Sequence, residues 1–189
     1  MTFGGKKREE GKRSASTYAA YVLILLFAVV FVYLRIFCGM DFFLVPSSSM
    51  EPTLKPGDYL VTFKQSTYHR GDIIVLKPPV EESGLLVKRI VGVAGDTVEI
   101  EGGCLFLNGE YASEPYLPEP MEFSFNPPYE VEQGHVFVMG DNRNNSEDSA
   151  TWRKTAPIKN ILGKVTYIYS PMDRMGRVRS YPLTNVSGT

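Results

Sequence analysis

Tyr18 to Leu34 is an unbroken run of 17 uncharged, mostly apolar residues in a chain of 189. As an α-helix the run extends about 25 Å. Continuing it to Ala15 on one side and Cys38 on the other matches the roughly 30 Å hydrocarbon core of a bilayer. Arg35 then sits where a long cationic side chain can snorkel to the headgroups. Ahead of the run stand Lys6, Lys7, Arg8, Lys12 and Arg13 against Glu9 and Glu10, which directs the N-terminus to the cytoplasm and the remainder across the membrane. A cleaved secretory leader shares the basic start and apolar middle. It needs a small-x-small site after the run, however, and Arg35-Ile36-Phe37-Cys38-Gly39 does not supply one. The expectation is a cytoplasmic basic segment at 1–14, a single membrane-spanning signal anchor at 15–38, and an extracytoplasmic domain at 39–189.

That domain is long enough to bury a core of its own. The formal net charge of the chain is -1, which argues against nucleic acid as a partner, since phosphate backbones demand clustered cations. Only two cysteines are present, Cys38 and Cys104, too few for a disulfide framework. His69 and His135 stand far apart, and no group of cysteines and histidines has metal-ligand spacing. Neither a metal nor another cofactor is expected.

Beyond the anchor the pattern is that of short β-strands divided by turns. Phe42–Val45, Tyr59–Phe63, Ile73–Leu76, Leu85–Val93 and Val136–Met139 are rich in branched and aromatic residues. Gly102-Gly103 separates two further runs, 98–101 and 104–107, and signals a tight hairpin. Segments 165–169 and 178–181 look like closing strands, and no soluble helix is evident. Residues 114–128 carry five prolines and are expected to be irregular. The fold class is mainly β: an antiparallel, barrel-like domain behind one N-terminal membrane helix.

Ser47-Ser48-Ser49 lies a short distance past the anchor, bracketed by Pro46 and Pro52. In an extended chain Ser47 and Ser49 share a face, so one can attack a carbonyl while the other donates a hydrogen bond to the developing oxyanion. A polar loop leaving the membrane would have the same composition. A serine nucleophile also needs a base. Both histidines fall at turns or strand starts, where a surface role suffices. Lys88 stands within a run in which Leu86, Lys88 and Ile90 share one face. A lysine on an apolar face must find a partner or give up its proton, and burial lowers a lysine pKa by up to ~3–5 units. The alternative is an edge-strand lysine that deters aggregation. Arg89 points the other way and stays charged, and Lys77, beside Pro78-Pro79, reads as solvated.

Four segments follow in order along the chain: Pro46-Ser47-Ser48-Ser49-Met50-Glu51-Pro52-Thr53-Leu54, Gly57-Asp58-Tyr59-Leu60-Val61, Lys88-Arg89-Ile90-Val91-Gly92-Val93-Ala94-Gly95-Asp96, and Gly140-Asp141-Asn142-Arg143-Asn144-Asn145-Ser146-Glu147-Asp148-Ser149. Together they resemble the bacterial type I signal peptidases, membrane serine proteases with a Ser-Lys dyad. The resemblance implies Ser49 as nucleophile and Lys88 as general base. It implies Ser47, with the Ser49 N–H, as the oxyanion donor, and Ser146 as the hydroxyl that orients the lysine. Met50, Leu54, Leu86 and Val87 resemble positions lining the pocket for the small residue before the cleaved bond, with Asp148 and Arg89 in support. The implied partners are the signal peptides of exported preproteins, together with membrane lipid, and the implied location is the bacterial cell membrane.

The chain departs from the family pattern at Ala150, where an arginine usually follows the aspartate matching Asp148. Arg153, Arg143 and Arg89 are open as alternative partners for Asp148. Ala94 and Asn144 replace a common proline and aspartate at turns. The competing reading is a catalytically silent relative that scaffolds surface or pilus assembly, and a self-cleaving regulator would share the chemistry without an anchor.

Overall fold

The computed structural model describes residues 15–81 and 84–183; the basic segment expected at 1–14 lies outside them. The described residues divide into two compact units, one ending at Phe37 and the other beginning at Cys38. In the first, the apolar run forms helix α1, Ala15–Phe37, which buries none of its side chains within the chain. By length and composition it can cross a membrane.

The second unit contains two antiparallel sheets. The larger one uses β1 (Met40–Leu44), β2 (Tyr59–Phe63), β3 (Ile73–Leu76), β4 (Leu86–Val93), β9 (His135–Met139), β10 (Ala156–Pro157), β11 (Ile161–Ser170) and β12 (Gly176–Arg177). Its order is β1-β2-β11-β3-β4-β9-β10, with β12 on β11. The smaller sheet, ordered β7-β6-β5-β8, uses β5 (Thr97–Glu101), β6 (Cys104–Leu107), β7 (Glu110–Tyr111) and β8 (Phe125–Glu130). The Gly102-Gly103 hairpin joins β5 to β6 as expected, with Glu101 opposite Cys104. The architecture is mainly β, an antiparallel half-barrel.

β4 is buried on both faces from Val87 to Gly92, because it lies inside the sheet between β3 and β9. On one face Leu86 and Ile90 join Ile74, Leu76, Val136 and Val138. On the other, Val87 packs with Val45, Met50, Leu54, Leu60 and Val75. Alternation therefore carries Lys88 and Arg89 into opposite interiors, and both are almost completely buried.

Three local expectations are corrected. The proline-rich excursion ends in strand β8, which Pro127 and Pro128 tolerate because β8 is the outer strand and its register against β5 breaks around them. Residues 178–181 continue past β12 without becoming a strand. A one-turn helix, α2, forms at Ser149–Trp152. Asp148 caps it, accepting from the Ala150 N–H while Thr151 accepts from the Asp148 N–H.

Candidate active site

The serine triplet does not stay extended. Ser47 has β conformation, and Ser48–Met50 then close a short 3-10 turn. Met50 and Leu54 root this turn in the core, where they are buried with Val87. Ser47 and Ser49 still face one another: the Ser47 hydroxyl donates to Ser49 Oγ at 3.3 Å. Asn142 grips the turn from the other side, its backbone N–H donating to Ser49 O at 3.0 Å and its amide to Ser48 O at 3.2 Å.

Lys88 reaches this turn from β4, where it is paired with Ile74 and 2% exposed. Its Nζ lies 2.7 Å from Ser49 Oγ and 3.0 Å from Ser146 Oγ. The Ser146 hydroxyl in turn donates to Asp148 Oδ2 at 2.7 Å. Since that hydroxyl has one proton and commits it to the carboxylate, it must accept from the lysine. The direction of the chain Lys88, Ser146, Asp148 is thereby fixed.

None of the three arginines weighed as partners for Asp148 binds it among the described residues. The carboxylate is instead met by the Ser146 hydroxyl and by the backbone N–H groups of Gly140, at 2.9 Å, and Ala150, at 3.1 Å. Ala150, standing where the family pattern has arginine, thus contributes its N–H. Arg89 forks onto Asp141, with Nε at 2.8 Å and Nη2 at 2.6 Å, in a fully buried pair. Arg143 binds Glu114. Burial alone would disfavour the Arg143 cation, but Glu114 and Tyr116 beside it outweigh that and raise its pKa.

This buried cluster escaped sequence reasoning. Tyr116, from the proline-rich excursion, lays its ring 3.9 Å from the Arg89 guanidinium carbon. Thr53 donates to Asp141 at 2.6 Å. The excursion, the serine turn and the Gly140–Ser146 loop are therefore pinned to one ion pair. Burial drives the Tyr116 phenol far above its ordinary pKa, so it stays neutral. The partners come from separations of 27 to 88 residues, which no local pattern reveals.

A cleft of about 410 Å³ opens over these side chains, lined by Ser47, Ser49, Leu86, Lys88, Asn145 and Glu147 among others. Of the expected pocket residues Leu86 reaches this wall, while Met50, Leu54 and Val87 form the packing behind the serine turn. Lys77 is exposed, and neither histidine lines the cleft.

Residues 18–170 match the family described as signal peptidase, peptidase S26. The chain belongs to that family. It is 37% identical over 170 residues to a probable signal peptidase I-1 of Synechocystis sp., covering 84% of this chain and 85% of that protein. It is 31% identical over 181 residues to a signal peptidase I of Bacillus licheniformis, covering 88% and 96%. A chloroplastic thylakoidal processing peptidase 1 of Arabidopsis thaliana is 38% identical over 145 residues, or 69% of this chain and 42% of that longer protein. Among solved structures, a signal peptidase I from Enterococcus faecalis aligns with a TM-score of 0.46 at 27% identity, covering 53% of this chain and 98% of that one. This S26 signal peptidase is accordingly a protease of the signal-peptide-removing type.

Proposed function

We propose that this S26 peptidase cleaves exported preproteins after small-x-small sites with Ser49 as nucleophile and Lys88 as general base. The observation that carries the reading is the 2.7 Å contact between Lys88 Nζ and Ser49 Oγ in a nearly water-free position. Removing water from an ammonium disfavours its charged form, and the neutral amine is the form able to accept a proton. An extended preprotein segment adds as a strand beside the residues leading into Ser49 and β4, with Leu86 against its small side chain. Lys88 takes the Ser49 proton as Oγ bonds to the scissile carbonyl carbon. The Ser47 hydroxyl and the Ser49 N–H hold the resulting oxyanion. As the C–N bond breaks, Lys88 returns the proton to the leaving amine. It then deprotonates a water that opens the acyl-enzyme, and Ser49 recovers its proton. Ser146, held by Asp148, keeps the amine aimed at Ser49 throughout.

Helix α1 anchors the enzyme with its N-terminus in the cytoplasm and the catalytic unit on the far side, which concentrates it with membrane-threaded substrates. The exposed rings of Phe42, Tyr59 and Tyr169, mutually packed at 5.5 and 5.7 Å, support contact with lipid. A silent scaffold would have no use for a buried lysine within bonding distance of a serine.

The test uses the full-length protein in detergent with a secretory precursor. Ser49→Ala and Lys88→Ala should each abolish cleavage, and Lys77→Ala should retain it. Cleavage surviving in either of the first two removes the dyad.

A further inference from the structure

Among the described residues closest to Lys88 and Ser49, charged side chains are, with one exception, buried and engaged: Arg89 with Asp141, Arg143 with Glu114, and Asp148 with Ser146 and two backbone N–H groups. The exception is Glu147. It is exposed, lines the cleft, and makes no hydrogen bond or ion pair among the described residues. Its neighbours on both sides are fixed, Ser146 by Lys88 and Asp148 by the cap of α2, so the backbone that presents this carboxylate is rigid.

The position of Glu147 relative to the scissile bond follows from the chemistry. The group that protonates the leaving nitrogen must reach it, so that nitrogen has to lie at Lys88 Nζ. Nζ is held between Ser49 Oγ and Ser146 Oγ. The acyl side of the substrate occupies the apolar wall at Leu86, two residues before Lys88 along β4. The leaving side therefore departs past Ser146, and the next residue of that loop is Glu147. Asn145, on the other flank of Ser146, also lines the cleft and is uncharged. Asn144, one further back, has its amide against the Glu119 carboxylate, so the sign of the charge beside this exit is negative.

We infer that Glu147 sets a charge preference for the residues just after the cleaved bond. Substrates whose mature N-terminus begins with a cationic side chain are favoured and those with an acidic one are disfavoured. The inference rests on the Ser49–Lys88 reading above and adds a determinant on the leaving-group side. Glu147 takes no part in proton transfer; it acts on binding and on the orientation of the departing segment. Because the carboxylate is solvent-exposed, the effect should be about two- to five-fold, the range of an exposed ion pair, and should fade as salt shortens the screening length.

The test compares two precursors that differ only in carrying Lys or Glu at the second position after the cleavage site, using the full-length enzyme in detergent at low and high salt. The wild type should cut the Lys precursor with a kcat/KM about two- to five-fold higher. Glu147→Gln should bring the ratio close to one, and Glu147→Lys should reverse it. Glu101→Lys makes the same charge change on an exposed residue that does not line the cleft and should leave the ratio where it was. High salt should compress the wild-type ratio. If both precursors are cut and Glu147→Lys leaves the ratio unchanged, the inference is overturned while the signal-peptidase reading stands. If the wild type cuts neither, that underlying reading fails with it.

Discussion

Gly140 directly follows β9 at the point where the strand, the Ser49 turn and the Ser146 loop converge, and its lack of a side chain permits the convergence. A Cβ built there would stand 2.3 Å from Ser146 Oγ and 2.4 Å from Ser49 O. Both distances are below the 3.0 Å that real Cβ atoms respect, and one of the two atoms is backbone. Ordinary contact begins at 3.4 Å, so Gly140→Ala must drive the Ser49 turn and the Ser146 loop apart from the strand by about 1 Å. A misplacement of that size near reacting atoms costs about 10²-fold in rate, equivalent to about 2.7 kcal/mol of barrier. The strain falls on the 3.0 Å bond from Asn142 N–H to Ser49 O and on the Ser146 contact to Lys88, while the sheet itself is untouched. The expected result is a roughly hundred-fold loss in single-turnover cleavage, with far-UV circular dichroism unchanged. Gly176→Ala is the control, because nothing lies within 4 Å of its added Cβ and its backbone is not in the left-handed region; it should cleave within two-fold of wild type. A Gly140→Ala enzyme cleaving within about three-fold of wild type would refute the argument that close approach at this residue sets the catalytic geometry.

Two further outcomes follow from the same geometry. Asp148→Asn replaces an acceptor-only carboxylate by an amide, which frees the Ser146 hydroxyl to turn and should lower kcat by about tenfold with KM little changed, a contribution in the range of one charged hydrogen bond; steady-state kinetics on a peptide substrate reads the split. At Asp58, burial acts to raise the carboxyl pKa, but Arg174 and the Lys55 N–H outweigh it and hold the value below the ordinary carboxylate range. A lowered native pKa stabilises above the unfolded value of about 3.9 and ceases to do so as pH falls through the native one. Asp58→Asn should therefore be less stable than wild type at pH 7, and the gap in melting temperature should close on acidification toward pH 3.

Much of the strand that carries Lys88 was legible because its signals are local. The period-two pattern through Leu86, Lys88 and Ile90 placed the lysine on an interior face, and the interior is where it lies. The Gly102-Gly103 hairpin was readable for the same reason. The assignment of Ser49 over Ser47 and Ser48 came from resemblance, since the alternation argument assumed an extended chain and the residues instead form a turn. The partners of Asp148 were out of reach because two of them are backbone N–H groups, which carry no residue identity. The Arg89–Asp141–Tyr116 cluster was hidden because its members lie 25 or more residues apart and meet only once the sheets have formed. Prolines misled at β8, where position at a sheet's edge, a property of the tertiary fold, cancels the local penalty.

The strand order has a bearing on when the enzyme becomes active. The serine turn follows β1 and precedes β2, whereas the lysine rides on β4, and within the larger sheet β2 is joined to β3 and β4 through β11. That strand spans Ile161–Ser170, more than 70 residues after Lys88. A nascent polypeptide has made Ser49 and Lys88 before it has made the strand that bridges the segments carrying them. Under the Ser49–Lys88 reading, the two side chains meet only once that later strand has paired, so activity follows the closing of the sheet and not the making of the residues themselves.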